Sequence, residues 1–285
     1  MAMNFAILGG DSRNVKLMKV LADTGNKVYG YGILPEKENS NIVLCDKVDH
    51  AVTCADYVIG ATPFTTEKIS SEIILQVLSP GKVFIAGNIP KDLTENLEKK
   101  GVEVADILKR DDMAILNAVP TAEGAIQIAM EKLPVTIDKR SFLITGCGKV
   151  AKALAVRLAA LGGKVTICAR KNRDLAWAES CGFGQMSFIE LKERINDFTV
   201  IYNTVPELIF TEKVLAGLDS DILAIDLASK PGGFDFTAAE KQGIEIIHAL
   251  SLPGKVAPWT AANNMAGVIL NIIKELTEEE SENVN

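Results

Sequence analysis

Short apolar runs punctuate the chain, each closing on a glycine, proline or polar turn, with longer segments of helical spacing between them. Phe5-Ala6-Ile7-Leu8 runs into Gly9, and Tyr57-Val58-Ile59 stops short of Pro63. Phe142-Leu143-Ile144-Thr145 runs into Gly146, and Val200-Ile201-Tyr202 stops short of Pro206. Continuous short runs of this kind read as strands buried on both faces, and their alternation with helical segments predicts a parallel, doubly wound sheet. Near the end, Met265, Val268, Ile269 and Ile272 recur at helical spacing, which predicts a helix over 261–275.

The pattern occurs twice. Laid over each other without a gap, Phe5-Ala6-Ile7-Leu8-Gly9 falls on Phe142-Leu143-Ile144-Thr145-Gly146. Leu21-Ala22, Gly25 and Lys27-Val28 fall on Leu158-Ala159, Gly162 and Lys164-Val165. Further on, Lys100-Gly101-Val102-Glu103-Val104 matches Gln242-Gly243-Ile244-Glu245-Ile246. The expected fold class is therefore α/β, with two Rossmann-like doubly wound parallel-sheet domains and an interdomain cleft. The first is expected over 1–120, completed by the returning helix 261–275, and the second over 121–260. The acidic segment 276–285 is expected to fray.

The two glycine turns differ. Gly146 and Gly148 supply G-x-G, and Ala151 fills the last place of G-x-G-x-x-G/A between a strand and a helix. Gly146 allows the tight turn, and Gly148 lets backbone approach a pyrophosphate. Lys149 and Val150 open the helix whose amino end faces the anion. After the next strand, Ala169-Arg170-Lys171 stands where NAD sites usually carry a carboxylate. A guanidinium there suits a 2′-phosphate, so NADP is expected over NAD. The first turn, Gly9-Gly10-Asp11-Ser12-Arg13, sets Asp11 against Gly148. Its carboxylate would repel a pyrophosphate, so this domain is read as the one that binds substrate. Ser12 and Arg13 beside a helix amino end favour a carboxylate-bearing ligand; the competing reading is an N-cap with a surface arginine. Thr62, Pro63 and Asn88, at later strand ends, join that rim.

Other candidates lie in loops. Thr121-Ala122-Glu123-Gly124 is expected to open a helix, with Thr121 as its cap and Glu123 in its first turn. Glu123, facing the expected cleft, is an acid–base candidate. Asn203-Thr204-Val205-Pro206 should line the ribose and nicotinamide, followed by Asp226, Leu227 and Ala228, with Asp226 either an N-cap or a ribose ligand. Leu250, Ser251 and Pro253 lie in a closing loop whose backbone groups could hold the carboxamide. Lys255 could bind a substrate carboxylate or donate a proton. Thr260, with Thr121 and Ser251, completes the candidate substrate contacts. His248 reads as a core histidine.

Composition narrows the class. A formal charge of -7 and the lack of a long basic stripe argue against a nucleic-acid partner. No apolar run is long enough for a membrane helix, and no signal peptide is apparent. The 5 cysteines and 2 histidines lack metal-ligand spacing, so no metal site is expected. A reduced, cytoplasmic setting fits. Self-association into a homo-oligomer stays open.

The segments FAILGGDSR, PTAEGAI, GCGKVAKALA, IDLASKPGGFDF and ALSLPGKVAPWTA together resemble the A subunits of dipicolinate synthase from spore-forming bacteria. More distantly, the layout is similar to D-2-hydroxyacid dehydrogenases, alanine dehydrogenase and adenosylhomocysteinase. The resemblance implies oxidation of a dihydrodipicolinate-class intermediate, a small dicarboxylate, to dipicolinate during sporulation. It also implies the mother-cell cytoplasm and a flavoprotein-like B subunit. A dehydratase holding its nucleotide tightly, and a nucleotide-binding scaffold for the B subunit, are the alternatives.

Overall fold

A computed structural model describes residues 2–64 and 69–283. The chain divides into two compact units, 1–117 with 257–285 and 118–256. In the first unit the order is β1 (Asn4–Leu8), α1 (Ser12–Asp23), β2 (Lys27–Tyr31), β3 (Ile42–Leu44), α2 (Val48–Thr53), β4 (Tyr57–Ile59) and α3 (Ser71–Val77). It continues with β5 (Val83–Ala86), α4 (Lys91–Lys99) and β6 (Glu103–Asp106). The long helix α5 (Asp111–Lys132) leads into the second unit. There β7 (Ser141–Thr145), α6 (Lys149–Ala160), β8 (Lys164–Cys168), α7 (Asn172–Ser180), β9 (Gly184–Met186) and α8 (Leu191–Arg194) follow. The unit closes with β10 (Val200–Asn203), α9 (Glu212–Leu215), β11 (Leu223–Asp226), α10 (Phe236–Lys241), β12 (Ile246–His248) and α11 (Leu252–Val256). The last helix, α12 (Pro258–Asn283), belongs to the first unit.

Each unit holds a six-stranded sheet, ordered β3-β2-β1-β4-β5-β6 in the first and β12-β11-β10-β7-β8-β9 in the second. Read from β9, the second order repeats the first. All recorded pairings are parallel. The duplication seen along the chain is thus a duplication of topology, and each sheet reverses its winding at β1/β4 or β7/β10, where open sheets bind ligands.

Strand alternation sends neighbouring side chains to opposite faces. Phe5 and Ile7 pack with Leu17, Leu21, Met265 and Ile269 of α1 and α12. Ala6 and Leu8 pack with Ile74, Leu93 and Leu97 of α3 and α4. In the second unit, Phe142 and Ile144 meet Ala125, Leu154 and Leu158, while Leu143 meets Leu191, Leu215 and Ala238. Helices therefore cover both faces of each sheet, as continuous apolar strands require.

Two expectations are corrected here. Thr121 does not open a helix, and Glu123 is not in a first turn, because α5 begins at Asp111 and runs through Pro120. Proline removes the hydrogen bond to the carbonyl four residues back. That carbonyl, Leu116 O, instead accepts from Asn264 Nδ2 at 3.4 Å, so the helix continues past the break. The carboxyl-terminal helix also exceeds its expected limits, starting at Pro258 and reaching Asn283. The polar residues after 275 continue it rather than fray, with Lys274 and Glu278 paired one turn apart at 3.7 Å. Residues 284–285 of the expected tail lie outside the described residues. Among the described residues, no helix is long and apolar enough to cross a membrane.

Candidate functional site

The second glycine turn is built to leave room. Gly146 has φ of 91°, and a Cβ there would lie 2.6 Å from Thr204 Oγ1 and 2.8 Å from Val205 Cγ2. Only glycine closes this turn against the Thr204 loop. At Gly148 a Cβ would meet nothing within 4 Å, so space opens before the first turn of α6. Gly148 is the N-cap of α6 and, as a glycine, brings no capping side chain of its own. The positive end of the helix dipole therefore lies at an open space, an arrangement that can receive a pyrophosphate. Cys147 in the turn is held protonated: burial above all pushes its thiol up, Lys152 opposes, and Asp174 and Cys181 add to the rise. A neutral thiol brings no charge against the anion.

Beside the turn lies a cavity of about 480 Å³, lined by Gly146, Ala169, Arg170, Lys171, Val205 and Glu207 among others. Arg170, Lys171 and Lys192 bring positive charge to this lining, and Asp174 and Glu207 bring two carboxylates. Lys149 and Val150 sit in the first turn of α6, as expected. Thr204 caps the end of β7, its hydroxyl donating to the Thr145 carbonyl at 2.7 Å.

Two expected cofactor contacts are corrected. Asp226 and Asn203 are fully buried and are neither N-cap nor ribose ligand. The Asp226 carboxylate accepts from Asn203 Nδ2 at 2.7 Å, Ala228 N at 3.0 Å and Gly233 N at 2.8 Å. Asn203 Oδ1 accepts from Thr145 Oγ1 at 2.7 Å and Val205 N at 3.1 Å. This buried network pins the loops after β10 and β11, and it reaches a ligand only through the shape of those loops. Leu227 is half-buried and Ala228 buried beside it, and His248 Nε2 lies 3.0 Å from the Ala228 carbonyl. The closing loop is also shorter than expected, because Leu252–Val256 forms α11. That places Pro253 and Lys255 on a helix, with Leu250 half-buried and Ser251 exposed at φ 59° before it. Lys255 is exposed.

Glu123 is also placed away from the glycine turn. It is exposed, its carboxylate 3.6 Å from Arg157 Nε in the last turn of α6. Arg157 stands about 12 Å along α6 from Lys149, and Glu123 does not line the cavity beside the glycine turn.

In the first unit, Asp11 caps α1. Arg13 donates to the Asp11 carboxylate through its backbone N–H at 2.9 Å, through Nε at 3.0 Å and through Nη2 at 2.7 Å. Nη2 also donates to the Thr62 carbonyl. Arg13 is only 6% exposed, so the reading of a capping Asp11 with a surface arginine is half right. Burial works to raise the Asp11 pKa, but the hydrogen bonds and charge of Arg13 outweigh it and hold the carboxylate below its ordinary value. The protein's own carboxylate therefore occupies both the helix end and the guanidinium expected to receive a substrate carboxylate. A cavity of about 210 Å³ lies here, lined by Gly9, Gly10, Asp11, Thr62, Pro63 and Phe64 among others. Thr62 is 3% exposed, and its buried Oγ1 has no hydrogen-bond partner among the described residues. Ser12 is exposed at the start of α1. Asn88 does not line the cavity; it turns at φ 55° with its N–H on Asp106 Oδ1 at 2.8 Å. Thr121 lies mid-helix and Thr260 is exposed in the first turn of α12.

Comparison with known proteins places this geometry. Residues 4–108 match the family model that describes the N-terminal domain of the dipicolinate synthase A subunit. Over 98% of its length, and 98% of the relative's, the chain is 31% identical to the dipicolinate synthase A subunit of Bacillus subtilis. The chain belongs to the family of dipicolinate synthase A subunits. The crystal structure of the B. subtilis protein matches with a TM-score of 0.84 at 29% identity, covering 98% of both chains. That of its Bacillus halodurans counterpart matches with 0.84 at 31% identity, covering 94% of this chain and 96% of the other. A transhydrogenase from Sinorhizobium meliloti shares the fold, with a TM-score of 0.71 at 14% identity over 96% of this chain and 94% of its own. Sequence reasoning missed Glu207 and Lys192 on the cavity beside the second glycine turn, since neither belongs to the glycine motif or to the strand end after it.

Proposed function

We propose that this chain is the dehydrogenase component of a dipicolinate synthase, oxidising a dihydrodipicolinate-class intermediate with NADP and working beside a B subunit. The observation that carries the reading is the glycine turn before α6, with open space at Gly148, in a member of this family. When bound, the nicotinamide supplies the hydride acceptor, and the aromatising ring also releases a proton. The α6 amino end and Gly148 hold the pyrophosphate, and Arg170 with Lys171 reads the 2′-phosphate. The buried Thr145–Asn203–Asp226 network keeps the Thr204–Pro206 loop against the turn. Lys255 is the candidate for a substrate carboxylate.

Purified with its B partner, the chain should reduce NADP in step with dipicolinate formation, read at the absorbance of the reduced nicotinamide. Dipicolinate made without NADPH would transfer the reading to a dehydratase with a tightly held nucleotide. Unchanged turnover in Lys255→Ala would remove that residue from the site. Arg170→Ala should weaken NADP on the order of tenfold to a hundredfold while leaving NAD nearly unmoved; equal weakening of both would sink the 2′-phosphate assignment.

A further inference from the structure

The cavity beside the second glycine turn carries a charge arrangement that motif spacing does not disclose. Arg170 follows β8, and Glu207 follows β10; these strands flank β7 in the sheet. Their side chains meet across the end of β7, Arg170 Nη1 to Glu207 Oε2 at 3.2 Å, with the side chains 67% and 63% exposed. Lys192 of α8 and Lys171 line the same cavity. Asp174 lines the cavity too, with its carboxylate 3.5 Å from Arg173 Nε, whereas the Glu207 carboxylate pairs with Arg170 itself.

We propose that Glu207 sets the cofactor preference of this site. It accepts the 2′-hydroxyl of a dinucleotide lacking a 2′-phosphate, while Arg170 and Lys192 receive the 2′-phosphate of one that has it. The proposal rests on the reading that this unit binds a nicotinamide dinucleotide. A ribose 2′-hydroxyl needs an acceptor, and sites of this topology usually take it from the end of the strand after the glycine turn. That strand here ends in cations, and Glu207 supplies the acceptor from the loop of a different strand. An exposed ion pair is weak, and a phosphate of nearly double charge displaces the carboxylate from Arg170. Glu207 then remains beside the phosphate and opposes it, and Lys192 offsets part of that opposition. The site therefore admits both dinucleotides, with a preference narrower than its cations alone would give.

Calorimetric titration of the full chain with NADP, NAD and adenosine 2′,5′-bisphosphate tests this. Both side chains are largely exposed, so Glu207→Gln and Lys192→Gln leave the fold intact. Glu207→Gln should tighten NADP and the bisphosphate about threefold to tenfold and weaken NAD by a similar factor. Lys192→Gln should weaken NADP and the bisphosphate alone. Parallel shifts of NADP and NAD in Glu207→Gln, or no shift, overturn the assignment while the dinucleotide site stands. A wild-type chain that binds neither dinucleotide overturns both.

Discussion

The two units share one scaffold and differ where it matters, at the carboxyl ends of their strands. The pairing registers align them: Phe5 opposes Tyr57 as Phe142 opposes Val200, and Tyr57 opposes Val83 as Val200 opposes Leu223. At equivalent positions the second unit carries Thr145, Asn203 and Asp226, and the first carries Leu8, Gly60 and Ala86. The second unit thus spends buried polar groups on fixing its loops. The first fixes the loop after β4 through Arg13 on Thr62 and Asn14 Nδ2 on the Gly60 carbonyl. Ahead of the helix, Gly148 leaves the amino end open, whereas Asp11 covers it with a carboxylate. The same fold therefore leaves open space at the helix end in one copy and sets a carboxylate paired with Arg13 there in the other. A few side chains at the switch point decide this, and the layers beneath them do not.

The sharpest way to break the comparison is to make the second turn resemble the first. Gly148→Asp should weaken dinucleotide binding about a hundredfold or more, since like charges brought together cost several kcal/mol. Its thermal midpoint should hold, because the new Cβ meets nothing within 4 Å and aspartate is a good N-cap. Retained binding would mean that the α6 end is not the anion site. In the opposite direction, Asp11→Gly should not confer binding on the first unit, because Ile33 and Leu34 stand there in place of Arg170 and Lys171.

A smaller effect is expected at the buried network. Asp226→Asn sets an amide donor against either the Gly233 N–H or the donors of Ala228 and Asn203, at a cost of about 2–3 kcal/mol in denaturant unfolding. A loss under about 0.5 kcal/mol would show that the network does not hold the loops.

The smallest effect concerns the Asp11–Arg13 pair. Asp11→Asn keeps the cap and loses the charge, for about 1 kcal/mol near neutral pH. The folded Asp11 pKa lies below its ordinary 3.8, so the pair's contribution is present above about pH 4. It fades as pH falls through the depressed value. The stability gap between wild type and Asp11→Asn should close in that acid range, and a gap constant with pH would show that Arg13 does not hold the carboxylate.

Much of this was legible in the chain. The runs at Phe5 and Phe142 with their glycine turns announced two parallel sheets, because strand burial and tight turns are written in local residue types. The positions of Gly146, Gly148, Lys149 and Val150 followed from the same motif. Helix limits were less legible. Pro120 and Thr121 look like a boundary, yet Asn264, distant in sequence, takes the carbonyl that Pro120 leaves. Asp226 looked like a cap or a ligand because a motif cannot say whether a carboxylate points outward or into Asn203.

The sequence by itself determined the duplication, the alternation of strands with helices and the place of the glycine turns, since these depend on periodicity and on the backbone freedom of single residues. Only the tertiary structure decided the partners of the polar groups: Arg13 with Asp11 and the Thr62 carbonyl, Asn203 with Asp226, Arg170 with Glu207. Arg13 and Asp11 are two residues apart at the start of α1, but the other partners follow different strands of one sheet and are far apart along the chain. Sheet register brings these within hydrogen-bonding distance.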